Sequence, residues 1–218
     1  KDEANAWFVG EPFKVFYDYK KEGIWQLGEE AAAAANGQEP GDIKVQDVDG
    51  NGVITTDDRI IYSQRPDVTF GFNNTFNYKG FDLSVFLYAR LGQWIAYDYN
   101  TTYRINALEN GGNVDYWTPE NPTNAFPCPN KSKSYTQVTY YSTLKYEDGS
   151  FFKIRDITLG YTFKPELLKH LNLSKLRVYA TAKNFFTFSK IDNYDPEQGG
   201  SISFPMTKQL VFGLNVEF

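Results

Sequence analysis

The sequence predicts an all-β fold: the C-terminal segment of a large transmembrane β-barrel, about six antiparallel strands with long extracellular loops. Three observations carry that expectation. Apolar and polar residues alternate with period two along several stretches, the connections between those stretches are by turns short and long, and the polar set includes charges. Period two sends successive side chains to opposite faces of a strand. A soluble sandwich also alternates. A charged second face, aromatics beside the turns and unequal connections are features of a barrel with lipid outside and water inside.

The first strand is expected in "PFKVFYDYKKEGIWQ" (12–26), the least regular of the set. The next, 69–78, sets Phe70, Phe72, Phe76 and Tyr78 against Thr69, Gly71, Asn73, Thr75 and Asn77, with Asn74 breaking the apolar row. Lys79-Gly80 reads as a two-residue hairpin turn. Residues 81–92 place Phe81, Leu83, Val85, Leu87, Ala89 and Leu91 on one face, and Asp82, Ser84, Phe86, Tyr88 and Arg90 on the other. Strand 152–163 alternates Ile157, Leu159, Tyr161 and Phe163 with Asp156, Thr158, Gly160 and Thr162. A helical turn is expected within 164–175, a strand over 176–187, and a last strand ending on the aromatic Phe218, as outer-membrane barrels do. With that end in the periplasm, the turns 79–80 and 164–175 are periplasmic, and 27–68, 93–151 and 188–208 are extracellular loops. Six strands cannot close a barrel, since the smallest have about eight. An open edge in lipid leaves backbone groups unsatisfied. The opening "KDEANAWFVG", with no initiator Met and no apolar leader, likewise predicts a piece of a longer protein.

Composition removes several function classes. A net charge of −5, with no basic stretch bearing interleaved aromatics, gives no ground for a nucleic-acid partner. The single cysteine, Cys128, cannot form an internal disulfide and has no ligand-type spacing around it. His170 is the only histidine and falls in an expected turn, so no Ser/His/Asp or Cys/His set can be assembled and no enzyme is expected.

One motif points to a cation. In "DVDGNGVITTDD" (47–58), Asp47, Asp49 and Asn51 occupy alternate positions, Gly52 is sixth, and Asp58 is twelfth. Calcium takes six to eight hard oxygen ligands, and alternate residues of a tight loop converge on one point. The expected set is completed by the Val53 carbonyl and Thr55, with Asp58 in place of the usual Glu. The flanking residues are not helical. A dockerin needs the loop twice, each followed by an amphipathic helix, so that reading fails. The expected role is a structural calcium ion holding an external loop.

Beyond these features, "GDIKVQDVDGNGVITTDDRIIYSQRPDVTFGFNNTFNYKGFDLSVFLYA", "WTPENPTNAFP", "YEDGSFFKIRDITLGYTFKPELL", "LRVYATAKNFFTFSKIDNYDPE" and "LVFGLNVEF" resemble, in order, the C-terminal region of SusC/RagA-type TonB-dependent transporters of Bacteroidetes outer membranes. The resemblance implies a 22-stranded barrel, an N-terminal plug, a segment contacting TonB and so the TonB-ExbB-ExbD machinery, a SusD-like lipoprotein as a lid, and oligosaccharide or oligopeptide cargo. Neither plug nor TonB segment is visible here. Trp94, Tyr97, Tyr99, Tyr103, Trp117, Tyr135, Tyr140 and Tyr141 are candidates for stacking against cargo or for girdle and loop packing, and Arg90 is a lumen-facing candidate for cargo contact or for a structural ion pair. The rival reading is a secreted calcium-binding β-sandwich that binds glycan.

Overall fold

The computed structural model describes residues 1–106, 111–133 and 135–218, without the side chains of Tyr135 and Leu171. Its strands, in chain order, are β1 (Val15–Tyr19), β2 (Lys21–Ile24), β3 (Ile43–Val45), β4 (Arg59–Ser63), β5 (Val68–Tyr78), β6 (Phe81–Leu91), β7 (Trp94–Ala96), β8 (Tyr146–Asp148), β9 (Phe151–Thr162), β10 (Lys175–Ser189) and β11 (Gln209–Glu217). Two short helices, α1 (Glu30–Ala35) and α2 (Pro165–Leu168), interrupt them. The chain divides into two units.

The unit of residues 66–93, 148–198 and 203–218 is one antiparallel sheet in the order β11-β10-β9-β6-β5. Its strands of nine to fifteen residues are long enough to cross a bilayer when tilted. Register aligns apolar with apolar across the sheet: Phe76 faces Leu83, Leu83 faces Leu159, Leu159 faces Ala180, and Ala180 faces Phe212. This apolar face is open, with Phe76 61% and Phe212 74% exposed. In water a contiguous exposed apolar face of this kind is unfavourable; against lipid it meets a solvent of its own kind.

The opposite face is polar and internally bonded. Arg177 donates to both carboxylate oxygens of Asp82, at 2.8 and 2.5 Å. The Thr158 and Thr181 hydroxyls share a 2.8 Å bond, and Ser84 donates to Asn73 at 3.2 Å. Gly160 lies beneath the Arg177–Asp82 pair, where a Cβ would stand 2.5 Å from the guanidinium and 2.6 Å from the carboxylate.

Two details explain how the strands are joined and aimed. Lys79 and Gly80 take φ values of 48° and 90°, the double positive-φ geometry of a tight hairpin turn. In β9, Arg155 is an extra residue: Asp156 pairs with Phe86 while Ile154 pairs with the next residue, Leu87. This bulge reverses the alternation, so Phe152 and Ile154 join the apolar face on which Ile157 lies.

The strand expected over 12–26 requires correction. It splits into β1 and β2, which pair with β4 and β3 in the other unit and not with the five-stranded sheet. Lys14 takes a left-handed φ of 67°, and Lys20, Lys21 and Glu22 put charge on both faces, so no continuous apolar row remains to face lipid. The unit containing them spans 1–65, 94–147 and 199–202 and has a soluble-type core of Ile24, Ile43, Val45, Tyr103, Ile105, Trp117, Val138 and Leu144.

Replacing Gly160 with Leu should expel the Arg177–Asp82 pair from its seat. Lost charged hydrogen bonds cost about 2 kcal/mol. In the full-length protein the heat-resistant, folded barrel band on unboiled gels should melt at lower temperature, whereas Gly160→Ala should show a smaller shift in the same direction.

Candidate metal centre and lumen face

The 47–58 loop is built by backbone bonds to its own carboxylates. Asp47 accepts from the Gly50 and Gly52 amides, both at 2.7 Å, and Asp49 accepts from the Asn51 amide and side chain at 3.0 and 2.8 Å. Asp58 is fully buried, with one oxygen accepting from Val48 at 2.7 Å and the other from Thr55 at 2.7 Å. Thr55 and Asp58 form a reciprocal capping box on the short helical turn Thr56–Asp58. Asn51 Oδ1 accepts from the Val53 amide.

The result brings oxygens of Asp47, Asp49 and Asp58 within 4.8 Å of one another. A carboxylate oxygen that takes one amide keeps a lone pair for a second partner. Three hard, anionic donors therefore stand close together, a donor set of the kind calcium takes and soft metals do not. Gly50 and Gly52 supply the positive φ, 74° and 84°, that the reversal of direction requires.

The amide of Thr55, followed by burial acting the other way and by the amides of Val48 and Asp49, holds the Asp58 carboxyl below its ordinary range. A depressed carboxylate stabilises the fold above the unfolded pKa of about 4 and loses that contribution as pH falls through the folded value. Exchange of the 47–58 amides in the full-length protein, corrected for intrinsic rate at each pH, should stay slow at neutral pH and rise on acidification below about pH 4. Asp58→Asn should remove most of that dependence.

The aromatic candidates separate. Trp117 and Tyr97 are only 4% and 5% exposed. Trp117 donates its indole N–H to Gln26 and stands against Gly41, where a Cβ would lie 2.9 Å from its ring. Both are buried, a correction to their reading as a stacking surface: Trp117 belongs to the apolar core of its unit, and Tyr97 is closed in with its ring beside Tyr99. Tyr103 is also buried, its hydroxyl donating to the Pro127 carbonyl. Trp94 is half-buried, meets Tyr62 edge-on, and lines a cleft of about 220 Å³ with Lys21, Glu22, Tyr146 and Glu147. Arg90 lies on the polar face of β6, donates to the Tyr88 hydroxyl at 2.7 Å and covers that ring. The side chain of Tyr135 lies outside the described residues. Truncating Trp117 to Ala should cost about 3–5 kcal/mol, read as faster protease cutting within 94–147 of the intact protein.

No family model matches the chain. Among curated proteins, TonB-dependent receptor P3 of Formosa agariphila is 31% identical over 235 residues, covering 96% of this chain and 22% of the relative. TonB-dependent receptor SusC of Bacteroides thetaiotaomicron is 31% identical over 180 residues, 79% of this chain and 17% of the relative. The chain thus spans about a fifth of the length of the relatives it matches. Among solved structures, the RagAB peptide transporter aligns with a TM-score of 0.69 at 24% identity, over 94% of this chain and 23% of that one. A RagAB peptide importer in an 'open-open' state aligns with a TM-score of 0.62 at 25% identity. With these relatives, and with an apolar sheet face that no second sheet covers within its unit, the secreted-sandwich reading falls. The long two-faced strands are explained instead by a closed wall in lipid, and the chain belongs to the SusC/RagA family of TonB-dependent outer-membrane receptors, as a stretch of their transmembrane β-barrel.

Proposed function

We propose that this chain forms part of the wall of an importer that takes up oligosaccharides or oligopeptides with a SusD-like surface lipoprotein. The observation that carries the reading is the two-faced five-stranded sheet. One side is suited to lipid, and the other bears Asp82, Arg90, Asp156, Arg177 and Lys183, a surface suited to hydrated cargo. The relatives named TonB-dependent receptor and SusC support energy coupling through TonB-ExbB-ExbD, and the RagAB neighbour supports a two-component importer. Plug and TonB-contacting segment belong to the longer protein. No chemical step is assigned to the chain. Deleting the full-length gene should abolish growth of its host on one class of polymer fragment, glycan or peptide, supplied as sole source. Unchanged uptake of both classes would overturn the proposal.

Within the same reading, the 47–58 loop holds a structural calcium ion through Asp47, Asp49, Asn51, the Val53 carbonyl, Thr55 and Asp58. The convergence of three carboxylates supports it. The ion would neutralise their repulsion and keep an extracellular loop in one conformation. Calcium added to the chelator-treated full-length protein should slow cutting within 47–58 at least tenfold, magnesium much less. Asp47→Asn with Asp49→Asn should raise the calcium needed by an order of magnitude or more. Identical cutting with and without calcium would remove the ion from the proposal.

A further inference from the structure

We infer that Lys153 is a positioning residue for the channel: it draws the connection between β10 and β11 onto the lumen face, so that residues 191–198 form part of the channel wall. The inference rests on the reading of the polar face as the lumen. Lys153 is completely buried, and its ammonium lies 2.6 Å from Asp195 and 2.8 Å from Glu197. Arg155 reaches the other oxygen of Glu197 at 3.0 Å, so two cations meet two carboxylates and the cluster is neutral. Asp195 also accepts from the Glu197 amide, and Pro196 between them is fully buried.

The bulge at Arg155 makes this possible. Asp156 is on the polar face, so strict alternation would send Lys153 to the lipid side, where a lysine is costly. The extra residue reverses parity, and Lys153 instead stands opposite Tyr88 and Thr187 on the polar face. With the connection folded over it Lys153 is shut off from solvent, and an ammonium so buried must be paired. The two carboxylates of the connection supply the pairing, and they reach it only if the connection folds inward. Bulge, lysine and the Asp195-Pro196-Glu197 turn are parts of one device, which narrows the lumen beside β9 and β10.

The test uses the full-length protein in its own outer membrane, in a version lacking other reactive thiols and carrying Asn193→Cys. A bulky polyethylene-glycol maleimide applied from outside should label it slowly. Lys153→Met should speed labelling at least tenfold, and Lys153→Arg should restore the slow rate, which a purely volumetric role would not require. Equal rates in all three backgrounds would overturn the inference. If Lys153→Met fails to assemble, Asp195→Asn with Glu197→Gln in the Asn193→Cys background decides the matter, since it removes the same pairing from the other side. Labelling at least tenfold faster supports the inward fold, and an unchanged rate refutes it. Thr158→Cys separates the two readings. Reaction only with a lipid-soluble maleimide would refute the lumen itself, whereas reaction with a small water-soluble one beside fast bulky labelling at 193 would refute only the inward fold.

Discussion

Parity along the strand is the constraint on which the rest of this structure depends. In a wall with lipid on one side and water on the other, every residue is committed by its count from its neighbours, and a shift of one exchanges the two solvents. Four strand pairings obey the rule together: the apolar row running from Phe76 through Leu83, Leu159 and Ala180 to Phe212 exists only if each register is right. Backbone satisfaction enforces the same result, because lipid offers no partner for an N–H or C=O left unpaired. β5 and β11 each keep one edge unpaired among the described residues, so the sheet is complete only within a longer wall.

That rule also explains what could be read from the sequence and what could not. β5, β6, β10 and β11 were legible because each carries an apolar row on a single parity, and Lys79-Gly80 is a turn that chemistry alone identifies. The Arg155 bulge was not. In "FFKIRDI", apolar residues occur on both parities, and only the register against β6 reveals which residue is extra. Residues 12–26 misled for the converse reason. A run of Phe and Tyr resembles a strand, and β1 and β2 are strands, but charges on both faces direct them to a soluble-type unit. For Trp117 and Tyr97, a place in long loops at a barrel mouth fits either stacking on cargo or packing within the loops, and the sequence alone does not separate the two. These loops fold about a core of their own, and large aromatics are what such a core consumes first. The proximity of Asp47, Asp49 and Asp58 was legible because alternate residues of a tight, glycine-containing loop come together by their spacing.

The polar face is organised by size as well as charge. Gly160 sits under the Arg177–Asp82 pair and Gly213 under the ring of Tyr179. In each case a large side chain lies across a neighbouring strand where only hydrogen leaves room. These glycines give up strand propensity, since a glycine in a strand has more freedom to lose and nothing to pack. What they allow is for a long side chain to lie flat along the wall. Flattened against the wall, an arginine or tyrosine turns its planar face outward and projects less far from the sheet. Glycine and bulge therefore act in opposite senses on the same face: the glycines lay side chains down against β9 and β11, while the bulge at Arg155 turns a lysine inward to meet the connection. Both are backbone-level features that alternation of hydrophobicity alone does not display.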